Sequence, residues 1–135
     1  MRYRLIGFAW VLIAALFVVV GMALAAADLS SRTSAQNGVT VKATPRVVSA
    51  SAWEFQIVFD THSQPLTDDL GKTAKLVGDG GKTYAPTAWQ GDAPGGHHRE
   101  GMLRFDDVVP VPAYLELHIQ REGEKTPRIF RWQTR

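Results

Sequence analysis

The chain reads as an all-β protein, an immunoglobulin-like or fibronectin-like β-sandwich of about seven strands, preceded by one N-terminal hydrophobic helix. Three observations predict this. Beyond Ala27, apolar side chains recur at every second residue in several short runs. Gly, Pro, Asn and Asp punctuate those runs every 8–12 residues. No segment beyond Ala27 carries a convincing 3.6-residue apolar period. A small barrel is the alternative closure of the same strands. With 135 residues the chain allows one domain.

Residues 1–27 form the first element. Arg2 and Arg4 precede a charge-free run from Leu5 to Ala27 that ends in Ala25-Ala26-Ala27. The alanines fit an A-x-A cleavage signal before Asp28, so one reading is a cleaved signal peptide. The run is also long enough to span a bilayer, which takes about 20 apolar residues, so the other reading is an uncleaved membrane anchor through residues 5–27. Both leave the arginines in the cytoplasm and the remainder outside, which makes the protein extracytoplasmic: periplasmic, secreted or anchored on the outer face of the cytoplasmic membrane. Residues 28–37, DLSSRTSAQN, are polar and aperiodic, and read as a flexible tether to a sandwich domain over 38–135.

In that domain GVTVKATP places Val39 and Val41 on one face and is stopped by Pro45. SAWEFQIVFDT is the strongest strand, with Trp53, Phe55, Ile57 and Phe59 in one apolar stripe. LTDDLGKTAKL holds one helical turn, capped by Thr67 and ended by Gly71. AKLV is a short strand, closed by the turn Gly78-Asp79-Gly80-Gly81. KTYAPTAW is a strand whose middle Pro86 pushes to an edge or bulge. GMLRFDD alternates Leu103 and Phe105 with Arg104. AYLELHIQR places Leu115, Leu117 and Ile119 inward, with His118 on the surface. A turn at Glu122-Gly123-Glu124-Lys125 leads to TPRIFRW, where Arg128 and Arg131 read as a solvated face.

Charge and composition narrow the function classes. The pI of about 9.2 comes from Arg2 and Arg4, because the chain beyond Ala27 carries 13 basic and 13 acidic side chains. No basic field is left there to attract nucleic acid. There is no cysteine, hence no disulfide frame, thiolate metal site, thiol nucleophile or lipidated cysteine anchor.

Two segments hold candidate chemistry. One is Asp60-Thr61-His62-Ser63, at the end of the strongest strand. The other is a glycine-rich loop, Gly91-Asp92-Ala93-Pro94-Gly95-Gly96-His97-His98-Arg99-Glu100. Imidazole is the commonest ligand for zinc and copper, so His62, His97 and His98, with Asp60 or Glu100, form a candidate copper or zinc site. Adjacent histidines on a regular strand face opposite ways, so shared ligation needs an irregular loop, which Gly95 and Gly96 permit. The other reading is structural, with the histidines bonded to carbonyls and carboxylates. Asp60, His62 and Ser63 only superficially resemble a triad, since strand neighbours do not converge, and a hydrolase ranks last. Trp89, just before the loop, packs on the core or forms a stacking platform.

These motifs, DTHS, then DDL, AKL, a Y-x-P-x-x-W-x-G stretch, GGHHR-x-G-x-L-x-F and PRIFRW, resemble a family of small exported prokaryotic proteins. The resemblance covers about Gly38 to Trp132. It implies an exported β-rich domain and carries no activity, substrate or ligand set. It marks Asp60, His62, Trp89, Gly91, Gly95, Gly96, His97, His98 and Arg99 as motif positions. The reading that results is a non-enzymatic binding module whose partner is a protein or a metal ion. The alternatives are a purely structural domain at the cell surface and a hydrolase.

Overall fold

The structure is a computed structural model and describes residues 27–49 and 51–135. The signal or anchor segment, except for Ala27, lies outside the described residues. Among them no helix is long and apolar enough to cross a membrane.

Among the described residues, nine strands form two antiparallel sheets. The strands are β1 (Arg32–Gln36), β2 (Val39–Val48), β3 (Ala52–Thr61), β4 (Ala74–Val77), β5 (Thr83–Tyr84), β6 (Ala88–Gly91), β7 (His98–Asp106), β8 (Tyr114–Ile119) and β9 (Arg128–Gln133). One sheet runs β1-β2-β3-β7-β6 and the other β5-β4-β8-β9. A single helical turn, α1 (Leu70–Thr73), precedes β4.

The count exceeds seven for two reasons. The first is β1, in the segment expected to be a tether. Asn37 and Gly38 both have positive φ, 50° and 74°, and Gln36 pairs with Val39 across them. That is a two-residue hairpin of the kind Asn-Gly favours, and it folds residues 32–36 back onto β2. The second is Pro86. It splits KTYAPTAW into β5 and β6, which belong to different sheets.

Three smaller expectations are also corrected. Pro45 does not stop β2. It pairs with Phe55, beyond Ala43 where β1 ends, so β2 has no second neighbour there that needs the missing N–H. Thr67 does not cap α1. Asp69 takes that position without a side-chain bond, and Gly71 lies inside the turn. Arg128 is buried rather than solvated.

The apolar stripe of β3 forms the core as the alternation requires. Trp53, Phe55, Ile57 and Phe59 are fully buried. Phe55 is the junction of the two sheets, with ring centroids 5.9 Å from Phe105 on β7 and 5.4 Å from Trp132 on β9. Each such ring contributes roughly 1.5–3 kcal/mol through burial.

The strands set two poles. Asp28 bridges Gln133 at one pole, close to Tyr114, the partner of Gln133. At the other, Gln36, Val39 and Thr61 lie level with His98 and Asp60. About eight strand residues, roughly 25 Å, separate the two.

Candidate functional site

The second pole collects the sequence motifs, and pairing accounts for it. Asp60 on β3 lies opposite His98 on β7. Thr61 N donates to His97 O at 2.9 Å, Leu66 N to Gly96 O at 3.0 Å, and Gly95 N to Leu66 O at 2.7 Å. The DTHS and GGHHR segments are therefore joined by main-chain bonds. Positive φ at Gly95 (118°) and Gly96 (69°) shapes this loop.

Many motif positions build a rigid corner. Gly91 and Gly101 face each other across β6 and β7. A Cβ on Gly91 would lie 2.4 Å from Glu100 O and from Gly101 Cα, so no side chain fits. The Trp89 indole lies over this glycine pair and donates from Nε1 to Asp92 O at 3.2 Å. Trp89 packs against the core, as one of its two readings expected. The Arg99 guanidinium sits 5.5 Å from the Trp89 ring, a cation–π distance. Arg99 is 2% exposed and donates from Nε to Asp92 O at 3.1 Å and from Nη1 to Asp68 O. Asp68, also buried, receives Arg121 through both carboxylate oxygens, at 2.9 and 3.1 Å. Asp68, within the DDL motif, and Arg121, outside every motif, are structural residues that the sequence reading does not mark. The signal for Arg99 was present, because alternation places it on the face of Gly101, Leu103 and Phe105.

The remaining positions face outward. His98 lies on β7 and not in the loop. Its Nδ1 donates to Asp60 Oδ1 at 2.6 Å, and its Nε2 lies 3.7 Å from Glu100 Oε2. Glu100 in turn accepts from Gln56 Nε2, and Gln56 accepts from Arg46 Nε at 3.0 Å. The result is a polar row, Arg46, Gln56, Glu100, His98 and Asp60, across the outer face of the five-stranded sheet. Its end is open, with the side chains of His98, Asp60 and Glu100 56%, 58% and 44% exposed. The hydrogen bond from His98 to Asp60 raises the imidazole above its ordinary pKa, and Glu100 adds in the same sense.

The three histidines do not converge. His62 and His97 are exposed, and among the described residues neither hydrogen-bonds to His98, whose ring nitrogens face Asp60 and Glu100. Among the described residues, no three His, Asp or Glu side chains are grouped closely enough to hold a metal ion. Asp60 contacts His98 rather than His62, and Ser63 interacts with Thr61, so the apparent Asp60-His62-Ser63 triad does not assemble. His118, expected on the surface, is largely covered, with its Nε2 donating to Glu116 at 2.7 Å. Two clefts among the described residues open elsewhere. One of about 470 Å³ lies by Arg32, Tyr114 and Ile129, and one of about 460 Å³ by Lys72, His118 and Pro127. Comparisons of the chain with protein-family models, curated proteins and solved structures found no match.

Proposed function

We propose that the protein is an exported, non-enzymatic binding module that presents its histidine pole to a partner. The strand order supports an immunoglobulin-like topology. β2-β3-β7-β6 beside β4-β8-β9 follows the order of strands ABED and CFG in that class, with β5 and β1 as added edges. One observation carries the reading. The pole separates into a corner knitted by Trp89, Gly91, Arg99 and Asp68, and an exposed set, Asp60, His62, His97, His98 and Glu100, mounted on it. A rigid support beneath exposed, chemically distinctive side chains is what a recognition surface requires.

The position of Asp28 adds an orientation. Its backbone N donates to Gln133 O at 2.9 Å, and its carboxylate holds Ser30 and Arg32. The chain is thus tied down from Asp28 onward, at the pole opposite the histidines. If Leu5–Ala27 stays in the membrane, that tie turns the histidine pole away from it.

The knitted corner also favours a second reading, a purely structural domain. Photo-crosslinking in cells separates the two. A photoreactive residue at position 97 is compared with one at Lys75, on the other sheet. A binding module gives a discrete adduct from position 97 and not from position 75. Equal labelling, or none, supports the structural domain.

A further inference from the structure

We propose that His98 Nε2 and the Glu100 carboxylate form a divalent transition-metal site on the outer face of β7. The proposal rests on the reading of this pole as the functional surface, and it names the ligand chemistry.

Four observations carry it. His98 and Glu100 are two residues apart on one strand, so both side chains leave the same face. Their facing atoms, Nε2 and Oε2, are 3.7 Å apart. An ion with metal–nitrogen and metal–oxygen bonds of about 2.0–2.2 Å, held tetrahedrally, spaces its ligand atoms about 3.4 Å apart. The gap is therefore within a few tenths of an ångström of a bridged pair. Each ligand is also braced from behind. Asp60 accepts the Nδ1 proton of His98, which places the lone pair of the neutral ring on Nε2. Gln56 donates to Glu100 Oε1 and is itself held by Arg46, which leaves Oε2 for the ion. A histidine backed by a carboxylate is the usual outer-sphere arrangement at metal sites, and it raises ligand basicity.

This differs from the site expected from the sequence. Asp60 becomes an orienting residue and Glu100 a ligand. His62 and His97 are not required. Two protein ligands leave the other coordination positions to water or to a donor from the partner. The general affinity order places Cu²⁺ above Zn²⁺ at one nitrogen and one oxygen ligand, and the two half-exposed side chains must close further on Cu²⁺, whose tetragonal cis ligands are about 2.8 Å apart, than on a tetrahedral ion.

The test is calorimetric titration of Cu²⁺ and Zn²⁺ into the full chain in detergent, without a His tag. The expected result is saturable binding of one ion, tighter for Cu²⁺. His98→Ala and Glu100→Gln should each weaken it at least tenfold. Asp60→Asn should weaken it several-fold, while the double variant His62→Ala/His97→Ala stays within about threefold. No saturable binding up to millimolar metal, or binding indifferent to His98→Ala and Glu100→Gln, overturns the proposal. So does binding lost in the His62/His97 double variant. Melting temperatures of the variants confirm that each is folded. A crosslink from position 97 that survives with metal binding absent refutes the metal site and leaves the binding module standing.

Discussion

Gly101 shows how little room the corner has. A Cβ there would meet Gln90 O, Gly91 Cα and the Trp89 ring, each at 2.7 Å. Two of these are backbone atoms of the paired strand and cannot swing aside. Gly101→Ala is therefore expected to destabilise the fold by about 1–3 kcal/mol, as overpacking generally does, and urea denaturation would measure it. Glu124 gives a second residue-scale prediction. Its carboxylate takes Nε and Nη2 of the buried Arg128 at 2.9 and 2.8 Å. Arg128 also donates to the carbonyls of Ser34, Gln36 and Val39. The Arg128 hydrogen bond lowers the Glu124 pKa to about 2. Because the folded pKa lies below the unfolded one, the stabilisation is complete above about pH 4.5 and is lost as pH falls toward 2. Glu124→Gln should flatten that acid limb. It should also cost about 3 kcal/mol at pH 7, because it leaves a buried guanidinium short of its counter-charge. Melts of both proteins from pH 2 to pH 7 would check this.

At the scale of elements, β1 is the informative strand. Asn37-Gly38 turns it back onto β2, and three side chains then fasten it and the residues leading into it to β9. Trp132 Nε1 donates to Ser30 O at 2.7 Å, Arg32 Nε to Arg131 O at 3.1 Å, and Arg128 to Ser34 O at 3.0 Å. The turn also touches the candidate site, since Thr61 Oγ1 donates to Gly38 O at 2.8 Å. Replacing Asn37-Gly38 by Ala-Ala forces alanine into positive φ at both positions, at about 1–2 kcal/mol each. The expected outcome is faster hydrogen exchange in the amides of β1, with those of β3 nearly unchanged. Uniform acceleration across both strands would show that β1 is not a separable edge.

For the whole molecule, Phe55 makes an aromatic contact between the sheets, against Trp132. Phe55→Ala should cost about 3–5 kcal/mol, read from denaturant midpoints. The orientation of the poles is testable because the chain has no cysteine of its own. Single cysteines at His97 and at Pro112, carrying a fluorophore in the membrane-bound full chain, should differ in quenching by lipid-borne quenchers. With residues 5–27 retained as an anchor, position 112 is the more strongly quenched.

The apolar stripe of β3, the alternation of β7 and β8, the Gly78–Gly81 turn and the closing hairpin were all legible in the sequence. They are local patterns, fixed by side-chain period and turn chemistry. Some of what was misread was also written there. Asn37-Gly38 is a hairpin signal, and alternation places Arg128 on the inner face with Phe130 and Trp132 despite its charge. Other features were not local. Whether Arg128 and Arg99 can be buried depends on carbonyls and carboxylates supplied by strands far away in the chain. The division of KTYAPTAW between two sheets depends on which neighbours each half finds. The histidines show the same limit most clearly. Composition and spacing gathered His62, His97 and His98 into one candidate cluster. The register of β3 against β7 then set Asp60 opposite His98 and Glu100 beside it, and gave His98 carboxylates rather than imidazoles as its hydrogen-bonding neighbours. Periodicity determines which way a side chain leaves its own strand, but only pairing between strands determines which other side chains it meets.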